Sequence, residues 1–408
     1  MSTFKKWYLH ILIFMLIYIE FGYNVVVSNS ISGTMRMLIL LGMLVPLILF
    51  TINGNEICLK TFFLFLFIIL IVIVQMVLRA DDYENYFLWA VPIIVGFAVS
   101  VFVKKDVFVH TYCNIVFFLA VFSLGVYFLN VFAQPVIAAL PSIGTRYGAT
   151  INNAFFSVAI TNSLYIRNYG ITWEPGAFSV LLCLDLYFEF IYYPKIRKIR
   201  VVAITIAVLT TFSTTGYFFI ALLYLALFLS SKKEYNNNDN NSRKSVVIFL
   251  SIFLVMVFVM LPQESKELIF GKLDGLFNGG EGELSYTTET RLNAIKYPFE
   301  AFLSSPIVGL GYDNFEILNR VTCQGLATNT IMNWFALSGL VFGFPCTYYY
   351  LKNLWIDKKR CNLNDLSYIL LVVAFCLLVS TESLLRISLI YILVFYGSKE
   401  QDVIGREN

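Results

Sequence analysis

Long apolar runs are the feature of this sequence that most restricts its fold. A helix needs about 20 apolar residues to cross about 30 Å of hydrocarbon. Only 13% of the residues are charged and 59% are hydrophobic, whereas soluble domains have about 25% and 45–50%. The sequence therefore predicts an all-α polytopic membrane protein with about 12 transmembrane helices. The predicted spans are 8–27, 36–52, 61–78, 86–103, 110–132, 177–193, 200–214, 215–230, 246–261, 329–351, 366–381 and 383–397.

The count of spans depends on two short polar turns that divide long apolar stretches. One is Ser213-Thr214-Thr215-Gly216 and the other is Thr381-Glu382-Ser383. An even count puts both termini on one side, and most of the 29 Lys and Arg residues lie in the short loops and tails of that side. Because basic loops stay in the cytoplasm, both termini are predicted to be cytoplasmic. The polar segment 231–245 is then a flexible cytoplasmic linker.

Two segments on the opposite side, 133–176 and 262–328, are far longer than a connection between spans requires. Loops of this length are usually functional or disordered. Both contain apolar and aromatic residues together with Gly and Pro, which argues against disorder. We therefore expect the two loops to form a cap of short or re-entrant helices on a single multi-span membrane domain, 1–408.

A carboxylate in a well-defined setting ends the first large loop. Glu174 follows Trp173 and precedes Pro175 and Gly176, at the point where a span begins. Pro is favoured in the first turn of a helix, and an acid is stabilised by the positive end of the helix dipole. Glu174 is therefore a candidate catalytic residue, and the alternative is that it only caps the helix.

Four arginines in the two outer loops suggest an anion site. Arg146 and Arg167 lie in the first loop, and Arg291 and Arg320 lie in the second. The guanidinium group is always charged and matches phosphate oxygens with a planar fork. Each of these arginines could instead be an ordinary solvated residue. In the second loop, Gly309 and Gly311 allow a close backbone approach.

Few ionisable groups interrupt the spans. Asp185 and Glu189 lie within one span, where an acid is costly and suggests function or a buried partner. The plainer interpretations are an interhelical hydrogen bond for Asp185 and snorkelling of Glu189 towards water. At the start of the last span, Glu382 and Arg386 have the spacing of an intrahelical i,i+4 pair.

Several classes of function are excluded by what the sequence lacks. Neither a Walker A motif nor GxGxxG is present, and no cytoplasmic segment is long enough for a nucleotide-binding domain. The net charge is only +3, which indicates no nucleic acid partner. No metal-ligand spacing of Cys and His occurs, so neither a metal nor a cofactor is predicted. The two histidines, His10 and His110, lie at the cytoplasmic ends of spans, so carboxylates must supply acid–base chemistry outside.

Three segments carry a resemblance to a known family. They are Arg167–Ser179 with its Gly-x-x-x-Glu-Pro-Gly core, the turn at 213–216, and the stretch from Arg291 through 305–311 to the span 329–343. In this order, and with two large outer loops, the chain resembles the O-antigen polymerases (Wzy) and the wider O-antigen ligase-like membrane glycosyltransferases. Two features depart from the pattern. The segment 328–333 lacks the histidine typical of ligases, and no Arg-x10-Gly repeat starts at the four arginines.

The resemblance implies a GT-C-like fold in a bacterial inner membrane and a glycosyl transfer at its periplasmic face. A glycan on undecaprenyl pyrophosphate would pass to the next lipid-linked repeat unit, with Glu174 as base or acceptor-orienting group. Residues implied in binding pyrophosphate or glycan are Arg146, Arg167, Arg291, Arg320, Tyr312 and Asn329. Implied partners are the lipid-linked oligosaccharide, membrane lipid, and a chain-length regulator and flippase of the same pathway. The alternatives are a lipid-linked oligosaccharide flippase, which would share the span count, and an O-antigen ligase.

Overall fold

The computed structural model describes residues 3–23, 31–51, 58–79, 82–144, 150–161, 166–230, 283–322, 327–380 and 382–399, and this part of the chain is mostly helical. Its helices are α1 Thr3–Phe21, α2 Gly33–Thr51, α3 Leu59–Arg79, α4 Tyr83–Phe102, α5 Lys105–Phe132, α6 Gln134–Ala138, α7 Pro175–Tyr192, α8 Lys198–Thr210, α9 Thr214–Leu229, α10 Glu283–Ser304, α11 Tyr312–Thr322, α12 Thr330–Cys361, α13 Asp365–Leu378 and α14 Ser388–Ser398. One small sheet contains β1 Ser142–Gly144, β2 Thr150–Asn153 and β3 Val158–Ala159.

Helices lie at eleven of the twelve predicted spans. The twelfth, 246–261, and the predicted linker 231–245 fall outside the described residues. Six helices are long and apolar enough to cross a membrane, namely α2, α3, α4, α5, α7 and α12. The helices α9, α13 and α14 are apolar but shorter. The predicted class, a mostly helical chain with several helices suited to a membrane, is thus confirmed, whereas the count of about twelve spans stays a prediction.

Helix α3 has the surface expected of a span beside lipid. Its buried face contains Leu64, Ile68 and Val72, which repeat every four residues. On the other face Phe63 is 63% exposed and Val77 is 68% exposed. A soluble protein rarely exposes a contiguous apolar surface of this kind, so the pattern favours hydrocarbon as its surroundings.

The described residues belong to two compact units. Unit 1 contains 1–55, 101–251 and 361–374, and unit 2 contains 56–100, 252–360 and 375–408. In unit 1, helix α7 is buried along almost its whole length. The hydroxyl of Tyr112 on α5 donates a hydrogen bond to the carbonyl of Leu181 on α7 at 3.0 Å, which ties these two helices together.

The cap predicted for the first large loop is wrong in its secondary structure. Where helices were expected, the described part of 133–176 contains the five-residue α6 and the antiparallel sheet β1-β2-β3. Ile151 and Val158 of the sheet are buried against Tyr23 at the end of α1. β-Branched residues such as Ile151 and Val158 favour a strand once one face is covered, and Tyr23, just beyond the end of α1, supplies that cover.

The second large loop is mostly helical where it is described. Helices α10 and α11 lie within it, as predicted, and residues 262–282 fall outside the described residues. The two polar turns also interrupt helices as predicted. Ser213 caps α9, because its hydroxyl accepts a hydrogen bond from the amide of Gly216 at 3.3 Å. Between α13 and α14, residues 382–387 are not helical.

A break inside α12 organises the second unit. Gly339 has φ 65°, which interrupts the helix. The carbonyl of Leu337 consequently loses its helical partner and instead accepts hydrogen bonds from the amide of Gly311 at 3.0 Å and from the side chain of Gln75 at 2.9 Å. On the other side of the break, the amide of Leu340 donates to the carbonyl of Pro306 at 2.8 Å. The loop 305–311 thus supplies the backbone partners that a helix break inside an apolar environment requires.

Candidate functional sites

The backbone before Glu174 is held in place by contacts within unit 1. The amide of Tyr23 donates to the carbonyl of Ile171 at 2.8 Å. The ring of Phe21 stacks on Trp173 with centroids 5.7 Å apart. The hydroxyl of Thr172 is completely buried and donates to the carbonyl of Glu174 at 2.7 Å. These contacts fix the main chain where α7 begins.

The side chain of Glu174 is exposed at this fixed position. Glu174 is the N-cap residue of α7, yet its carboxylate accepts no capping hydrogen bond. Glu174 therefore makes no hydrogen-bonded cap, whereas the alternative that it only stabilises the helix through the dipole stays a prediction. Nearby, burial raises the pKa of Tyr169, the positive charge of Arg167 lowers it, and the negative charge of Glu174 raises it. The three groups therefore share one electrostatic environment.

Arg167 is bonded to the main chain between α8 and α9. Its Nε donates to the carbonyl of Thr211 at 3.0 Å and its Nη2 donates to the carbonyl of Phe212 at 3.3 Å. The C-terminal carbonyls of a helix lack intrahelical partners, and Arg167 supplies partners just beyond the end of α8. The neighbouring Asn168 donates to the hydroxyls of Ser123 and Thr210. Arg167 therefore has a structural role here, and its predicted contact with pyrophosphate stays a prediction.

The other predicted binding residues lie in different settings. Arg146 falls outside the described residues, and Arg291 lies on α10 with a side chain outside them. Arg320 is 72% exposed and pairs with Glu316 at 2.6 Å on the same helix, which is a common surface arrangement. Asn329 is buried before α12, where its Nδ2 donates to Ser380 at 3.2 Å and its Oδ1 accepts from the amide of Met332 at 3.0 Å.

Tyr312 belongs to a polar cluster in unit 2 that the sequence did not indicate. The guanidinium of Arg386 lies over the Tyr312 ring, 4.8 Å from its centroid. Nη2 of Arg386 donates to Oδ1 of Asn85 at 2.9 Å, and Nδ2 of Asn85 donates to Oδ1 of Asp313 at 3.2 Å. Burial raises the pKa of Tyr312. The predicted intrahelical pair of Arg386 with Glu382 is wrong, because both residues precede α14.

One nitrogen of Arg386 remains available. Its Nε is buried and has no hydrogen-bond partner among the described residues. A buried polar group without a partner is costly, and more so when it is charged. Arg386 is therefore a planar cation held by Asn85 and Tyr312, with a buried Nε that has no partner among the described residues. No signal in the sequence distinguished it, because Asn85 and Tyr312 are distant along the chain.

Arg79, close by in the same unit, supports the loop that carries Tyr312. Its Nη2 donates to the hydroxyl of Ser305 at 3.3 Å and to the carbonyl of Gly309. Gly309 has φ 69° and approaches the backbone of Leu337, which confirms the close approach predicted for this glycine. Arg79 therefore holds 305–309 against the break in α12.

The acids inside α7 are more deeply buried than predicted. Glu189 has a completely buried side chain and accepts hydrogen bonds from Arg197 and, at 3.4 Å, from Arg200, so the prediction that it snorkels to water is wrong. Asp185 is also completely buried, and neither carboxylate oxygen has a hydrogen-bond partner among the described residues. The interhelical neighbour closest to the expected hydrogen bond is the thiol of Cys113 on α5, which faces the Asp185 carboxylate. One Asp185 oxygen, the sulfur of Cys113 and a Glu189 oxygen lie within 4.8 Å of one another.

The described residues define a mostly helical chain with six helices long and apolar enough to cross a membrane. They carry an exposed carboxylate in unit 1 and an arginine–tyrosine cluster in unit 2. Comparison with protein-family models, with curated proteins and with solved structures found no match to this chain.

Proposed function

We propose that this chain is a membrane glycosyltransferase that polymerises oligosaccharide repeat units linked to undecaprenyl pyrophosphate. The observation that carries the proposal is the exposed carboxylate of Glu174, which stands on a fixed backbone at the start of a buried apolar helix. A carboxylate that accepts no capping hydrogen bond is available for chemistry. Glu174 lies at the start of an apolar helix, a position that suits a substrate with its sugar in water and its polyprenyl chain in lipid.

In the proposed reaction, a hydroxyl of the acceptor repeat unit attacks the anomeric carbon of the donor glycan. The new bond joins that hydroxyl oxygen to the anomeric carbon, and the bond between the anomeric carbon and the pyrophosphate oxygen breaks. Glu174 accepts the hydroxyl proton, a contribution of about 10²–10⁴ in rate for a general base. Undecaprenyl pyrophosphate leaves with the electron pair.

Pyrophosphate binding needs positive charge, and within unit 2, taken by itself, Arg386 is our candidate for a contact with such an anion. Its guanidinium is held in one orientation by Asn85 and Tyr312, and its Nε has no partner among the described residues. A preorganised donor aimed at developing charge is a major source of catalysis. Arg320 is a weaker candidate, because it is 72% exposed and already paired with Glu316.

The proposal includes the wider setting implied by the resemblance. The chain would lie in a bacterial inner membrane as a multi-pass protein of about twelve spans, with both termini in the cytoplasm and the two large loops in the periplasm. The basic short loops support this orientation. A chain-length regulator and a flippase of the same pathway would be its partners.

A lipid-linked oligosaccharide flippase is the second candidate. Transporters place ionisable groups and broken helices in their membrane domains, and this chain has Asp185 inside α7 and a break in α12 at Gly339. A ligase would share the glycosyl transfer but is disfavoured by the absence of a histidine in 328–333.

Reconstitution in vesicles with purified lipid-linked repeat units separates these functions. A polymerase converts the units into a ladder of longer glycans, and Glu174→Gln should reduce the rate of ladder formation by about 100-fold or more. Glu300→Gln is the matched control, since Glu300 is an exposed glutamate on α10. Movement of unchanged units across the bilayer, without any ladder, would overturn the proposal in favour of the flippase. An active Glu174→Gln variant would remove Glu174 from the chemistry.

A further inference from the structure

The strongest feature outside the proposed glycan chemistry is the buried cluster of Cys113, Asp185 and Glu189 in unit 1. Cys113 lies on α5, and the two acids lie one turn apart on α7. All three side chains are buried. A ligand atom from each residue lies within 4.8 Å of the other two, so the groups face one another across the contact between the helices.

Asp185 supplies the observation that points to a ligand. Both of its carboxylate oxygens are inaccessible to solvent, and in the described part of the chain neither accepts a hydrogen bond of normal distance and angle; the nearest potential donor is the thiol of Cys113. Buried carboxylates in proteins are paired with a cation or hydrogen-bonded. Here the two groups within reach are a thiol and a second carboxylate, and the nearby arginines, Arg197 and Arg200, are bonded to Glu189.

Hydrogen bonds from two arginines fix the orientation of the Glu189 carboxylate. Oε2 accepts a hydrogen bond from Nε of Arg197 at 2.7 Å, while Oε1 accepts from Arg197 and Arg200. A carboxylate oxygen has two lone pairs, so Oε2 keeps one that is free of these arginines. Hydrogen bonds from an outer shell are usual for carboxylates that bind metals, because they fix the orientation of the ligand.

The charges of the surrounding groups are compatible with a bound divalent cation. The hydroxyl groups of Tyr112 and Tyr193 lie near the cluster, and Arg197 and Arg200 are positive groups of the described residues that face it. Two ionised carboxylates and one thiolate carry three negative charges, against two positive charges from the arginines. A divalent cation would more than balance the remaining negative charge and would give Asp185 the partner that it lacks.

We propose that Cys113, Asp185 and Glu189 bind a thiophilic divalent cation of the zinc class, which fastens α5 to α7. One sulfur and two carboxylate oxygens are ligands that Zn²⁺ accepts, and three protein ligands leave a fourth position for water. Soft thiolate ligands select zinc over magnesium or calcium, which prefer sites made only of oxygen. Sequence spacing did not reveal the site, since its ligands come from two helices that are distant along the chain.

The test uses full-length, tag-free protein purified in detergent, because a histidine tag would itself bind the metal. The wild-type protein should carry or take up about one zinc ion per chain. With cobalt(II) as the probe, it should show the near-ultraviolet band of thiolate-to-cobalt charge transfer. A chelator should lower its thermal unfolding temperature.

Two variants and one matched control locate the site. Cys113→Ser should abolish the charge-transfer band, and Asp185→Asn should weaken zinc binding by more than about tenfold. Cys183→Ser is the control, because Cys183 is a buried cysteine on α7, the helix of Asp185, with its sulfur towards the carbonyl of Gly216, and it should leave binding unchanged. Wild-type protein that takes up neither metal would overturn the proposal, a result that does not depend on whether any variant folds. Equal loss of binding in both cysteine variants would also overturn it.

Discussion

The guanidinium carbon of Arg386 lies over the Tyr312 ring, 4.8 Å from its centroid, and both residues belong to unit 2. Oδ1 of Asn85 also accepts a hydrogen bond from Nη2 of Arg386 at 2.9 Å. A guanidinium held in this way loses little side-chain freedom when it binds a planar anion. The pair therefore offers a sharper test of pyrophosphate binding than the arginines that the sequence singled out.

Replacing Arg386 should slow polymerisation strongly. In the vesicle assay, Arg386→Ala should lower the rate of ladder formation by about 100-fold, the usual effect of removing one preorganised donor. Arg386→Lys should recover only part of the rate, because an ammonium group cannot make the planar contacts.

The matched control is Arg320→Ala, since Arg320 is exposed and paired only with Glu316 within α11 in the described part of the chain. It should change the rate by less than about twofold, as expected of a surface ion pair. Equal losses from Arg320→Ala and Arg386→Ala would contradict the distinction drawn between the two arginines.

Arg167 should affect stability. Its hydrogen bonds to the carbonyls of Thr211 and Phe212 involve a charged donor, and such bonds contribute about 1.5–3 kcal/mol each. Arg167→Ala should therefore lower the thermal unfolding temperature of the detergent-solubilised protein by several degrees. Arg167→Lys should restore part of this loss, because an ammonium group still donates to carbonyls. Full stability with lost activity in Arg167→Ala would instead favour a direct contact with substrate.

Gly339 should tolerate no side chain. Its φ of 65° is unfavourable for other residues, and a Cβ there would lie 2.2 Å from the carbonyl oxygen of Ile307. Gly339→Ala should reduce the free energy of unfolding by more than about 2 kcal/mol. Gly42→Ala is the control, because a Cβ at Gly42 in α2 meets nothing within 4 Å. It should be neutral or slightly stabilising, given the higher helix propensity of Ala, and a similar loss in both variants would contradict the role of the break.

The positions of the helices could be predicted from the sequence because apolar length and polar turns are local properties. The turn at Ser213 is an example, since its hydroxyl caps the helix that begins at the next residue. Gly309 is a second example. A glycine in a turn indicates that another segment of backbone can approach closely, but it does not show which segment that is. The position of Glu174 at the start of a helix could also be predicted, because Pro175 marks that start.

The strands of the first outer loop could not be predicted from the sequence in the same way. Ile151 and Val158 lie on neighbouring strands of a sheet and pack against Tyr23, and strand formation by short segments depends on what packs against them. The sequence alone could not show that the end of α1 lies there.

The sequence by itself determined the class of this protein, a mostly helical chain with apolar helices, and the exposed carboxylate at the start of α7. Only the tertiary structure decided which charged groups meet. In the folded chain, Arg386 contacts Asn85 and Tyr312, and it does not form the predicted intrahelical pair with Glu382. Arg167 donates hydrogen bonds to backbone carbonyls, and Asp185 is buried beside Cys113 and Glu189. The physical reason is that burial and secondary structure follow mainly from near neighbours, whereas the partner of a charged side chain depends on which distant segments pack against it.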